Sequence, residues 1–329
     1  MKTTKYFIAL LLIFISGCGD LFVDEPAVNY NMQDFETVSQ IIKDNYPFLQ
    51  YKNINWDSVY TYYKSQVQNS TGDEILTIFY KMFREFKDAQ IELFTEGGYP
   101  IITYLWERES DSRSFSPEVV NKYLNAQFKF AGNDRIEYEI LPGNIGYVHF
   151  TTFEKGSWIN DFDLIMKYFA GTKGIIIDVR NNIGGRTTMT DHIVSYFIDE
   201  SVTGNAFNKD GDAWPWTVEP NSENHYANPV VVLINGASFS ASEVFVDMMG
   251  SANNVIIVGT TTGGGGGSTK EFLLPSGKEI RIPTAYFKRL NGEMIEWKGV
   301  PPDTIITQTE MDVDNLIDKQ LEYAISYLK

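Results

Sequence analysis

From residue 136 onward the sequence alternates short β-branched runs with stretches of helical spacing, and that alternation restricts this part of the chain to an α/β architecture. Runs over 145–151, 174–179, 230–234 and 255–258 read as strands, because Val and Ile dominate them and flanking turn residues close them. Helices are predicted between them, over 159–169, 188–198 and 240–250. Residues 272–274 and 279–282, joined by Pro275-Ser276-Gly277, read as a hairpin. A last helix is predicted over 313–327, with Asp312 and Asp314 at its start as the helix dipole favours.

N-terminal to this region the pattern is helical. Phe35, Val38, Ile41 and Ile42 fall on one face, and so do Trp56, Val59, Tyr60 and Tyr63. Thr71-x-x-Glu74 is a capping box ahead of a third stripe, Ile75, Phe79, Met82 and Phe86. Ser116-Pro117-Glu118 opens a further helix that ends near Phe128.

Residues 1–17 carry a basic start (Lys2, Lys5) and an apolar run too short for a permanent span, which is the pattern of a signal peptide. Ser16-Gly17-Cys18 resembles a bacterial lipobox, so Cys18 is expected to carry lipid and anchor the chain in the cell envelope. Residues 18–32 lack periodicity and read as a tether. A single cysteine excludes a disulfide framework and a Cys-rich zinc site. The scattered His149, His192 and His225 lack metal-ligand spacing, so neither metal nor cofactor is expected. The formal net charge of −16 argues against a nucleic-acid partner.

Three turns carry candidate chemistry. Asp178-Val-Arg-Asn-Asn-Ile-Gly184-Gly185 breaks a buried strand into a glycine turn whose N–H groups can face an oxyanion, although such glycines often only turn the chain. Ser240-Ala241-Ser242-Glu243 follows another strand and opens a helix, as a nucleophile elbow does; it also fits a plain capping box. Gly259-Thr-Thr-Thr-Gly263, continued by four more glycines, lacks the lysine of a nucleotide loop. Gly263, Gly264 and Gly265 could lie flat along an extended ligand, or form a mobile loop.

Taken in order, these stretches resemble the C-terminal processing (tail-specific) serine peptidase family. The resemblance rests on Asp88-Ala-Gln90, Gly146-Tyr147-Val-His-Phe-Thr-Thr-Phe153, the Asp178 and Ser240 motifs, Val258-Gly259, and Glu296-Trp-Lys-Gly299-Val-Pro-Pro-Asp303. It implies a crotonase-like α/β core (136–310) behind an N-terminal α-helical cap (33–93), with a connecting segment (94–135) that holds one helix and is too short for a PDZ domain, and a C-terminal helix over 311–329. It implies Ser240 as nucleophile, Gly184, Gly185 and Ala241 as oxyanion donors, and extended or unfolded polypeptide as substrate.

Two departures stand out. The branch with a Ser-Lys dyad keeps its lysine where Gly265 stands here. The branch nearer to this chain, the tricorn-core and retinoid-binding one, places a histidine base where this chain has Gln90, with its glutamate partner at Glu296. An amide cannot take the serine proton, and loss of the base from a serine triad costs on the order of 10⁶ in kcat. Lys270 is the nearest candidate substitute in sequence, although a strand-edge lysine is ordinarily just solvated; His149 and His192 read as structural. The reading is a lipid-anchored serine peptidase impaired at its base. The alternative is a non-catalytic homologue that binds peptide or a hydrophobic ligand.

Overall fold

The computed structural model describes residues 29–95, 98, 100–102, 109–124, 128–156 and 159–329. The leader, Cys18 and most of the tether lie outside the described residues. Among the described residues, no helix is long and apolar enough to cross a membrane.

The described residues open with α1 (Asn31–Asn45), α2 (Trp56–Val67) and α3 (Glu74–Arg84), the three helices that the apolar stripes predict. Asn31 and Met32, assigned to the tether, already lie in α1. Asn31 Nδ2 donates to Ser70 Oγ at 2.9 Å, which ties the start of the helix to the end of α2. The box before α3 forms by halves: Thr71 N and its hydroxyl donate to Glu74, while Asp73 holds the N-cap position.

Strands β1 (Glu92–Phe94) and β2 (Pro100–Ile102), helices α4 (Glu109–Ser112) and α5 (Pro117–Leu124), and β3 (Lys129–Ala131) follow. Among the described residues the segment 94–135 holds two helices rather than one, and Phe128 lies outside α5. The remaining elements are β4 (Ile136–Leu141), β5 (Ile145–Phe150), α6 (Ile159–Phe169), β6 (Gly174–Asp178), α7 (Thr187–Val194), β7 (Val202–Phe207), β8 (Ala213–Val218), β9 (Val230–Ile234), α8 (Ala241–Met249), β10 (Val255–Gly259), β11 (Gly267–Leu273), β12 (Glu279–Phe287), β13 (Thr304–Ile305), α9 (Glu310–Asp314) and α10 (Lys319–Tyr327).

Two sheets result. One runs β13-β10-β9-β6-β5-β4-β3, parallel from β13 to β5, and its strands β6 and β9 are buried throughout, as unbroken Ile and Val runs require. The other runs β2-β1-β12-β7-β8, with β11 paired along β12. Its hairpin is longer than expected, and its Leu274, Ile280 and Ile282 bury themselves among Phe35, Phe79, Phe83 and Phe86 of the N-terminal helices. The hairpin therefore packs with those helices, although it lies in the C-terminal half of the sequence.

The C-terminal helix expected over 313–327 is two helices. Leu316 at φ 56° breaks the chain, and Asp318 caps α10 by accepting from Leu321 N at 2.9 Å. Asp318 also pairs with Arg180 Nη1 at 2.9 Å, and Arg180 meets Asp178 at 2.6 Å, all three being buried. A guanidinium sealed from water is tolerable only with such partners.

Candidate active site

Strand β9 lies between β6 and β10 in parallel register, so the three turns singled out by sequence emerge side by side at the C-terminal ends of neighbouring strands. In open α/β sheets this is the edge where ligands bind. Ser240 sits in the turn from β9 to α8 at φ 57°, ψ −120°, a conformation that a residue with a Cβ holds only when its surroundings enforce it. Glu243 enforces it. One of its oxygens accepts from Ser240 N at 2.9 Å and Gly265 N at 2.7 Å, the other from Gly264 N at 2.5 Å and the Thr262 hydroxyl at 2.6 Å. Burial pushes its carboxyl up to about 7, against those four donors. The capping box is thus present and structural, and it coexists with a serine that opens on a cleft of about 550 Å³.

That cleft is lined by Gly185, Arg186, Ser240, Ala241 and the first five residues of β11, Gly267 to Glu271. Gly184 lies against the elbow: a Cβ there would fall 2.8 Å from Ala241 N and 2.9 Å from Ser240 Cβ. Its own N–H is taken by Asn182 Oδ1 at 2.9 Å, which removes Gly184 from the expected oxyanion donors. Gly185 remains. Phe153 bridges through Gly184 O and Arg186 N, so the Gly185 amide faces away from that bridge. Ala241, as the first residue of α8, has an N–H with no acceptor inside the helix.

The glycine run departs from expectation. Gly263, Gly264 and Gly265 are buried, with Phe239 against the first and third and the Trp297 backbone against the second, and Glu243 holds the amides of Gly264 and Gly265. They build the wall behind the serine and cannot lie along a ligand; Gly267 does line the cleft. A Cβ at position 265 would fall 2.1 Å from the Phe239 ring, so the position of the dyad lysine is also sterically closed.

Gln90 stands beside the serine, as the resemblance implies. Its Oε1 accepts from Gly267 N at 2.8 Å and its Nε2 donates to Gly267 O at 2.9 Å, a pairing that fixes which end of the amide faces the elbow. Nε2 then donates to Ser240 Oγ at 3.3 Å. The amide thus gives a hydrogen to the Ser240 hydroxyl and takes none.

Glu296 is buried, but its partner is a residue that sequence reasoning missed. Lys52 Nζ lies 2.6 Å from Glu296 Oε1 and 2.9 Å from Asp88 Oδ2, with its side chain 1% exposed. Burial opposes its charge, but the two carboxylates hold the ammonium above its ordinary value. Burial and the Asp88 charge push the Glu296 carboxyl up to about 8 against the pull of Lys52. Asp88 Oδ1 accepts from Gln90 N at 2.9 Å, and Glu296 Oε2 from Gly266 N at 3.0 Å. The signal for Lys52 was slight: a lysine directly after the aromatic stretch Tyr46-Pro-Phe48-Leu-Gln-Tyr51.

Lys270 lines the cleft from β11 but is exposed, and no hydrogen bond joins it to Ser240 among the described residues. His149 pairs with Glu137 at 3.0 Å and His192 with Asp163 at 2.6 Å, the structural roles expected of them.

Residues 144–306 match the model of peptidase family S41, and residues 29–85 that of the tricorn protease C1 domain. A solved structure from Parabacteroides merdae, a candidate peptidase, is 31% identical, covers 91% of this chain and 96% of its own, and superposes with a TM-score of 0.80. The chain belongs to peptidase family S41. Among curated relatives, the carboxy-terminal processing protease CtpA of Bacillus subtilis is 29% identical over 50% of this chain and 35% of its own length. The carboxyl-terminal-processing protease of a Synechocystis strain is 26% identical over 57% of this chain and 44% of its own. The matches thus span under half the length of these relatives.

Proposed function

We propose that this S41 chain is a serine peptidase acting on extended polypeptide, in which Ser240 attacks the scissile carbonyl. Its Oγ–C bond forms as the peptide C–N bond breaks, the hydroxyl proton ends on the leaving amine, and water then hydrolyses the acyl-enzyme. The observation that carries the reading is the strained Ser240 opening into a cleft that Gly185 and Ala241 also line. Oxyanion donors of this kind are worth on the order of 10²–10³ in kcat each. Among the described residues β11 pairs only with β12, so its other edge, along which Ser268 to Glu271 line the cleft beyond the Gly267 groups that Gln90 holds, suits an added peptide strand. The parallel sheet with its C-terminal-edge site supports a crotonase-like core, and the helical cluster under the hairpin supports the cap. The short connecting segment argues for the absence of a PDZ domain, and the lipobox-like Cys18 for a lipid anchor in a bacterial envelope.

The alternative, a binding protein without turnover, is favoured by one observation: Gln90 donates to Ser240 and so cannot deprotonate it. Cleavage of an unfolded polypeptide separates the two. Peptidase action requires slow cleavage that Ser240→Ala abolishes, since residual turnover over water still runs through the nucleophile. Equal rates in native protein and Ser240→Ala would overturn it; tight binding with no turnover would establish the alternative.

A further inference from the structure

The buried ammonium of Lys52 lies outside the cleft yet closes a ring of contacts around the residue that touches the nucleophile. Lys52 holds Asp88 at 2.9 Å, and Asp88 fixes the Gln90 backbone at 2.9 Å. Gln90 pairs by both ends of its amide with Gly267. The preceding residue, Gly266, donates to Glu296 at 3.0 Å, and Glu296 returns to Lys52 at 2.6 Å. Ser240 Oγ hangs from this ring by the 3.3 Å contact to Gln90.

The remaining surroundings are built for a cation. The ammonium lies 5.2 Å from the ring centres of Phe48 and Trp297 and 5.8 Å from that of Tyr46. Tyr46 donates to Asp88 at 2.6 Å, and Tyr51 to the Glu296 backbone carbonyl at 3.0 Å. A lysine needed only for stability could be replaced by an apolar residue of like volume together with its partners. Here both partners carry the backbone segments that aim Gln90 and the glycine wall.

We propose that Lys52 is a positioning residue for Ser240, and that by satisfying Asp88 and Glu296 together it leaves no free carboxylate to orient or charge a base at position 90. Lys52 and residue 90 are then coupled: with glutamine at 90 the lysine is required, and with histidine at 90 it competes for the same carboxylates. The proposal rests on the reading of Ser240 as nucleophile, and its test separates the two.

The test uses the full chain in four forms: native, Lys52→Met, Gln90→His, and the double variant Gln90→His with Lys52→Met. The titration of the imidazole introduced by Gln90→His is followed by NMR against the three native histidines. Removing Lys52 leaves Asp88 and Glu296 facing that imidazole, with Tyr46 and Tyr51 the other titratable groups nearby. Its pKa is therefore expected to rise by about one unit or more between the single and the double variant, a tenfold change in proton affinity. The rate of Ser240 phosphonylation by a fluorophosphonate is expected to fall about tenfold or more in Lys52→Met relative to native protein, as displaced reacting groups do. Should Lys52→Met fail to fold, Lys52→Gln keeps a donor without the charge and is read the same way. An unchanged imidazole pKa together with unchanged labelling in a folded variant would overturn the proposal. Absence of labelling in every form overturns the nucleophile reading instead, while the titration of the introduced imidazole still decides the role of Lys52.

Discussion

At the scale of single residues the site is governed by who donates to whom. Glu243 consumes the amides of Ser240, Gly264 and Gly265, and Asn182 consumes that of Gly184, so these four are withheld from any ligand. Position 265 is fixed by space. Gly265→Ala is expected to cost about 1–3 kcal/mol, the range for overpacked sites, read as a lower urea midpoint. Phe239→Ala, which removes the ring that the new Cβ would meet, should restore part of that loss in the double variant. The serine, the glycine turn and Gln90 were legible in sequence because each stands in an ordered motif. The direction of the Gln90 amide was not legible, since it is set by Gly267, 177 residues away. Lys52 was not legible for the same reason: its partners, Asp88 and Glu296, come from distant segments, and an isolated lysine gives no periodic signal.

Among elements, the legible parts were those whose burial is continuous or regularly spaced. Strands β6 and β9 and helices α1, α2 and α3 fall where apolar runs and stripes put them. The missed hairpin of β7 and β8 has an intermediate or exposed surface over most of its length, so its pattern is not apolar enough to announce a strand. The C-terminal helix was overextended because its acidic start suits a helix N-terminus, whereas the break is made by Leu316 and the new cap at Asp318. That cap doubles as the outer partner of Arg180. Asp318→Ala is expected to destabilise the protein by about 3 kcal/mol, since it removes one partner of a buried pair and a helix cap together. In hydrogen exchange the first amides of α10 should lose protection before those of β6.

For the molecule as a whole, the raised carboxyls set the pH response. Glu243 and Glu296 bind their protons more tightly folded, at about 7 and about 8, than at their ordinary 4.5. Between those values the folded chain holds more protons than the unfolded one, so stability falls as pH rises. Asp178 and Asp163, held below their ordinary value, act oppositely and lose their contribution as pH falls through the acid range. Burial works against Asp178 and Asp163 alike, and is overcome at Asp178 by Arg180 and at Asp163 by hydrogen bonds from Tyr196 and His192. The urea midpoint is therefore expected to peak in weakly acidic buffer and to decline toward pH 8; a midpoint that rises from pH 5 to 8 would contradict this. The β11–β12 hairpin adds a mechanical consequence. Its inner face is the floor of the N-terminal helices and its outer edge is a wall of the cleft. Whatever loosens those helices must therefore slacken that wall, and an occupant seated along it must tighten a helical bundle that it never touches.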